Sequence, residues 1–189
     1  MARRAETSLD REALVAAAFA VVADVGLDGL SMRKLGERLS VQAPALYWHI
    51  ADKSELLRLM ANVIYGEARA AVPASADWRA WLVAFGRALR KTLGSRRDGA
   101  RICAVAKPDM RGTAQDRARA IAEPLTALGL DQGRALSFQA SVISLALGWA
   151  MFEENGPMHD FLHEMMDFDA SFEIGLQALV NGYDGAPER

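Results

Sequence analysis

Apolar positions recur at three- and four-residue intervals along almost the whole chain, and no stretch alternates apolar and polar residues as a half-buried strand would. The pattern predicts an all-α protein. A first helix over about 10 to 25 carries Leu14, Ala18, Val21, Val22 and Val25 on one stripe and ends at Gly26, a residue suited to a left-handed C-terminal cap. Residues 31 to 53, SMRKLGERLSVQAPALYWHIADK, break into two short helices around a tight turn. Leu35 and Leu39, then Leu46 and Ile50, are each one helical turn apart with Val41 between them, so a small apolar seam joins the pair. Ser31 is placed to cap the first helix and Ser40-Val41 to make the turn. Pro44 falls in the first turn of the second helix, where its missing N–H costs nothing.

A longer helix, about 52 to 72, carries Leu56, Leu59, Met60, Val63 and Ile64, and ~20 residues at ~1.5 Å each make a rod of ~30 Å. The small, polar stretch from Pro73 to Asp77 marks a boundary, after which Trp78, Trp81, Phe85, Leu89 and Leu93 resume helical spacing. The chain therefore divides into a three-helix head (1–53), a connecting helix (about 52–72) and a helical-bundle body (73–189). Within the body, about 131 to 154 is apolar nearly all round: Leu136, Phe138, Val142, Ile143, Leu145, Leu147, Trp149 and Met151. Such a helix must be covered on two sides. The last helix repeats Phe172, Leu176, Leu179, Val180 and Tyr183, and pairing these two helices with their copies in a second subunit would give a four-helix homodimer interface.

Composition narrows the class. Apolar residues make up 51% of the 189, but no uninterrupted apolar run approaches the ~20 residues of a membrane span. The N-terminus MARRAETSLDRE is polar and unlike a signal peptide, and the single cysteine, Cys103, excludes an internal disulfide framework. A cytoplasmic protein without a membrane contact is expected. Net charge is −2, and residues 1 to 53 hold seven Lys and Arg against seven Asp and Glu, so any attraction to nucleic acid must come from placement of charge. Arg3 and Arg4 lie in a tail, while Arg33, Lys34, Arg38 and Lys53 cluster on the helix pair.

That helix pair reads as a helix-turn-helix that enters a groove of double-stranded DNA. A helix built only for packing would not set Tyr47, Trp48 and His49 beside a single apolar seam. Arg33, Gln42, Ala43, Pro44, Ala45, Tyr47, Trp48, His49 and Lys53 are the candidate DNA-contacting residues, the basic ones holding phosphates and the others facing base edges.

The head resembles the TetR family of bacterial one-component repressors, through Gly26-Leu-Asp-Gly-Leu-Ser-Met-Arg-Lys-Leu35 and Leu46-Tyr-Trp-His-Ile-Ala-Asp-Lys53, the latter run pointing to the tetracycline-repressor branch. The likeness continues through Asp77-Trp78, Arg97-Asp98-Gly99-Ala100-Arg101, Gly129-Leu130 and the region of Gly148. It implies a homodimer with two heads in successive major grooves of a palindromic operator, and a body cavity whose small organic effector releases the protein from DNA. Arg33 matches a base-reading Arg, and Pro44, Tyr47, Trp48, His49 and Lys53 match the contact set. Ala43 stands where those repressors have Gln, so adenine recognition at that base pair is lost and the operator should differ.

The resemblance also places Arg69, Phe85, Ile121, Cys103 and Phe152 where those repressors line their cavity with His, Asn, Gln, a magnesium-binding His and a Glu; Glu153 is adjacent to the last. Every one has changed, which implies an apolar or weakly polar effector and no metal or other cofactor. Phe85, Leu89, Cys103, Lys107, Phe138, Ile143, Leu147, Met151 and Phe152 form the candidate ligand-binding wall, with Lys107 as polar anchor. His159 and His163, i and i+4, lie in an acidic loop region after Pro157 and read as solvated, and Cys103 as wall or core. Two rival functions stay open at this level: a helical enzyme with an appended DNA-binding head, which would need a catalytic constellation the body does not offer, and a DNA-architectural protein without a pocket.

Overall fold

In the computed structural model, which describes residues 10–74 and 77–185, the chain forms ten α-helices and a closing 3-10 turn, with no strand among the described residues. Arg3 and Arg4 of the predicted tail, and Ser75 and Ala76 of the predicted boundary, lie outside the described residues. The helices are α1 Arg11–Gly29, α2 Met32–Leu39, α3 Ala43–Leu46, α4 Lys53–Ala70, α5 Trp78–Gly94, α6 Gly99–Val105, α7 Ala114–Thr126, α8 Gln132–Glu154, α9 Gly156–His163 and α10 Phe168–Asn181.

Helix starts follow local chemistry. Asp10, Ser31, Asp52, Asp77, Thr113, Asp131 and Asp167 each place a side-chain oxygen on a free N–H of the first turn. Two expectations at α1 need correction. The helix does not stop at Gly26: that residue breaks it at φ 74°, ψ 170°, a glycine conformation rather than a left-handed cap, and helical bonding resumes as far as Gly29. Val25 is not on the buried stripe but 41% exposed, because the break turns the chain before its side chain can reach the core that Leu14, Ala18, Val21 and Val22 enter. A third correction concerns residues after Pro157, read as loop. They form α9, with Pro157 in its first turn and Asn155 capping it.

Buried side chains of head and body belong to one continuous apolar cluster, from Leu14 through Met60 and Leu89 to Val180. α5 is the centre of the body, burying Leu82, Phe85, Leu89 and Leu93 against α4, α8 and α10. The core face of α8 is Ala135, Phe138, Gln139, Val142, Ala146 and Ala150, with the Gln139 amide donating to the Ile121 carbonyl at 2.9 Å. The opposite side is uncovered in the single chain: Met151 and Phe152 are 47% and 43% exposed, and Ile174 of α10 is 70% exposed. By length and composition alone, α8 is apolar enough to cross a membrane, with a mean hydropathy of 1.5. Reading only uninterrupted runs missed this, since Ser137, Gln139, Ser141 and Ser144 interrupt the apolar residues.

Polar ties join head to body. The Leu27 N–H donates to Asp98 Oδ2 at 2.7 Å, Arg97 donates to the Ala23 and Asp24 carbonyls at 3.1 and 3.2 Å, and Arg101 bridges Asp98 and Asp28 at 2.7 and 2.9 Å. On the other side, Arg58 of α4 reaches Asp109 in the α6–α7 loop at 3.3 Å.

Candidate nucleic-acid interface and effector wall

The two short helices pack as their sequence requires. Ser31 Oγ accepts from the Lys34 N–H at 3.2 Å, and Ser40 adopts φ 57°, ψ 35°, which reverses the chain and lets the Val41 N–H reach the Gly36 carbonyl at 3.0 Å. Gly36 makes that approach possible: a Cβ there would lie 2.8 Å from the Val41 carbonyl oxygen. A glycine in mid-helix four residues before Ser40 was the available sequence signal. α3 spans only Ala43 to Leu46 before loosening into a turn, closed by the Ile50 N–H on the Leu46 carbonyl at 3.1 Å. Leu35, Leu46 and Ile50 are almost wholly buried, so the seam is rigidly seated.

What the seam leaves outward is the expected set. Trp48 is 89% and Tyr47 52% exposed, so neither is packing the head onto α4. Gln42 and Pro44 are exposed, and Ala43, Ala45 and His49 half-buried. The basic residues are less free than their number suggests. Arg33 pairs with Glu37 at 3.0 Å and Arg38 with Asp24 at 2.6 Å, both at the surface, where such pairs are worth only ~0.2 to 1 kcal/mol and yield readily to phosphate. Lys53 donates to the Leu30 carbonyl at 2.7 Å, tying the start of α4 to the α1–α2 junction, and its ammonium keeps two further donors. Arg11, which sequence reasoning passed over, donates to the His49 carbonyl at 3.1 Å and lies 3.5 Å from Glu55. Only tertiary structure could reveal that tie, since 38 residues separate the partners.

The nine wall candidates separate into three groups. Phe85, Leu89, Cys103 and Phe138 are buried, Ile143 and Leu147 half-buried against the core, and Lys107, Met151 and Phe152 exposed. Phe85 stacks on Trp81 at 5.0 Å, and Phe138 stacks on Tyr183 at 3.8 Å and meets the Trp78 ring, tilted, at 5.6 Å. Cys103 meets the Tyr65 hydroxyl. Burial pushes its thiol up to about 11, against which the Tyr65 hydrogen bond works only weakly, and burial and the thiol together raise Tyr65 above its ordinary range. A thiol so held is protonated near neutral pH, so it is no nucleophile. Of the positions carried over for the cavity, Arg69, Ile121 and Phe152 are exposed.

A cleft of about 550 Å³ opens elsewhere in the body, among Arg87, Arg90 and Lys91 of α5, Glu153 of α8, and Asp169, Phe172 and Glu173 of α10. Its two guanidiniums are paired, Arg87 with Glu173, and Arg90 with Glu153 and with Asp169 at 2.8 Å, the Arg90 guanidinium lying 4.7 Å over the Phe172 ring. None of the nine wall candidates lines it. His159 and His163 stack ring on ring at 5.4 Å and share the Phe168 face, rather than converging on a point, and no cluster of three metal-ligating side chains occurs among the described residues.

Residues 14–60 match the family of bacterial regulatory proteins called tetR. The chain is 34% identical to the class A tetracycline repressor protein from transposon 1721 of Escherichia coli, over 93% of this chain and 91% of that protein, and 32% identical to the class G repressor of Vibrio anguillarum, over 94% and 95%. Among solved structures it resembles TetR from Acinetobacter baumannii AYE (33% identity, TM-score 0.73, covering 94% and 97%). It also resembles class A TetR in complex with 5a,6-anhydrotetracycline and magnesium (32%, TM-score 0.72, covering 95% and 100%).

Proposed function

This chain belongs to the tetR family of bacterial regulatory proteins, and from that premise we propose that it is a homodimeric transcriptional repressor released from a palindromic operator by a small organic effector. The carrying observation is the exposure of Tyr47 and Trp48 in the turn that follows α3, while Leu46 and Ile50 on either side of them are seated in the core. In this reading the head is 1–53, the connecting helix about 52–72 and the body 73–189. Arg33 reads a base after leaving Glu37, Gln42, Ala43, Pro44, Ala45, Tyr47, Trp48 and His49 face the groove, and Lys53 contributes its remaining donors to phosphate. The uncovered apolar sides of α8 and α10, with Met151, Phe152 and Ile174, support pairing with a second copy, and they account for the apolar length of α8 without a membrane. A cytoplasmic location goes with that reading.

In this reading the effector differs from the 5a,6-anhydrotetracycline and magnesium named for the class A relative. A soft, protonated thiol is a poor ligand for a hard cation such as magnesium, and Cys103, where the resemblance puts an imidazole ligand, is such a thiol, buried and bonded to Tyr65. The residues do not fit the metal. An apolar or aromatic molecule reaching Phe85, Leu89, Phe138 and Leu147 suits the wall better. Phe138 is already stacked on Tyr183 and in tilted contact with Trp78, so the ligand enters by displacing one of these rings. The same protonated thiol, with no base beside it, removes Cys103 as a nucleophile for the helical-enzyme alternative.

Communication runs through the ties at both ends of α6. Burial works against the charge on Asp98, but the Leu27 N–H and the Arg101 guanidinium outweigh it and hold its carboxyl below the usual range, so the start of α6 grips the end of α1. An effector that lowers operator affinity tenfold binds the DNA-free form better by about 1.4 kcal/mol, and DNA weakens effector binding by the same factor. The test is selection of a bound sequence from random duplex, followed by titration of selected and scrambled duplexes. Equal affinity for the two would overturn the repressor reading and favour a DNA-architectural protein.

A further inference from the structure

A second groove lies in the head, between α1 and α4, with a volume of about 470 Å³. Its floor is Val15, Ala16, Phe19, Leu59 and Val63, all apolar, and its size is that of a small-molecule site. The charged rim is unequal in what it offers. Arg11 is committed to the His49 carbonyl at 3.1 Å and to Glu55 at 3.5 Å, and Arg96 to Glu67 at 2.7 Å and to the Phe19 ring at 4.9 Å. Glu12, by contrast, has no hydrogen-bond or ion-pair partner among the described residues. Among the described residues at the groove the one uncommitted charge is therefore negative, beside an apolar floor that includes an aromatic ring.

We infer that this groove is a binding site for lipophilic organic cations, with the apolar body of the ligand on Val15, Leu59 and Val63 and its positive charge facing Glu12. The site is separate from the effector wall of the body. One side of it is the first helix of the head and the other is the helix that joins head to body, so an occupant would touch both.

Tetraphenylphosphonium and tetraphenylborate have the same shape and opposite charge, which isolates the contribution of Glu12. Both are titrated calorimetrically into the full-length protein and its variants. Replacing Glu12, an exposed side chain, by Gln should weaken the phosphonium roughly threefold and strengthen the borate comparably, so that their affinity ratio falls roughly tenfold. Ala16→Phe, at an exposed position, fills the groove and should remove binding of both ions. Leu147→Trp, in the body, should leave both unchanged. An unchanged ratio in Glu12→Gln, wild-type binding in Ala16→Phe, or loss of binding in Leu147→Trp would each overturn the site; the last would place the ions on the effector wall of the body and leave the repressor reading standing.

Discussion

Removing the Asp98 carboxylate tests the joint between head and body most directly. Asp98 accepts from the part-buried Leu27 N–H at 2.7 Å, accepts from Arg101 at 2.7 Å, and itself sits at φ 59°, ψ 22°. Ala at this position leaves the Leu27 N–H without its acceptor, which costs about 1 to 3 kcal/mol, and adds about 1 kcal/mol for a left-handed conformation that Asp and Asn tolerate better. Arg101 loses little, because Asp28 remains 2.9 Å away. The sum is about 3 kcal/mol, or a fall in Tm of roughly 6 to 12 °C at 2 to 4 °C per kcal/mol for a chain of this size. Asn keeps the backbone conformation and an acceptor oxygen but no charge, and should cost about 1 kcal/mol. The assay is thermal unfolding at fixed protein concentration, since a dimer's Tm depends on it. The pH dependence adds a sign. Asp98 has its carboxyl held below the usual range, so its contribution is complete above that range and is lost as the pH falls through the native value. Wild type should therefore lose more stability on acidification than Asp98→Asn. If Asp98→Ala melts within about 1 °C of wild type, the Leu27 tie contributes nothing in solution and the reasoning fails.

Arg33→Ala should leave Tm unchanged, because its ion pair with Glu37 is at the surface, yet cost about 1 to 3 kcal/mol in binding the selected duplex; an equal loss on scrambled duplex would end its base-reading role. Lys53→Ala should weaken all duplexes alike and flatten the salt dependence, and, since it frees the Leu30 carbonyl, also lower stability by about 1 kcal/mol; unchanged thermal unfolding would mean that the tie is not made. Glu173 is drawn down from 4.5 to about 2 by hydrogen bonds from Arg87 and Gln177, so its contribution is present above the ordinary carboxylate range and is lost as pH falls from about 4.5 towards 2. Acid unfolding curves of wild type and Arg87→Met should converge across that window, and parallel curves would refute the pairing. Leu147→Trp should abolish release by an apolar effector while preserving operator binding, and calorimetry with and without EDTA checks the metal-free wall: loss of all effector binding on chelation contradicts it.

Residues close in sequence were readable because their interactions are local. Ser31, Asp52 and Asp77 cap helices that begin just after them, Pro44 fits only a first turn, and the spacing of Leu35, Leu46 and Ile50 marks them as buried positions of the helix pair. The outward Trp48 followed from the same periodicity, because fixing the buried side of a short helix fixes the exposed one. Helicity, the helix-turn-helix and its exposed aromatic residues thus needed no tertiary information. The body was different. Periodicity says that Phe138 and Phe152 lie on an apolar helix, but not that Phe138 is enclosed by Trp78 and Tyr183 while Phe152 faces out, because that depends on which helices surround α8. The partners of the charges were hidden wherever they were distant: Lys53 lost part of its freedom to Leu30, and Asp98 found the end of α1 some 71 residues away, whereas the Arg33–Glu37 pair lies i, i+4 within α2. Sequence alone determined which segments are helical and which residues each must bury, since hydrogen bonds and side-chain spacing within a helix reach only a few residues. Tertiary structure alone decided what covers each buried side and where each charge is neutralised, since both are set by distance in space between segments that the chain order leaves unrelated.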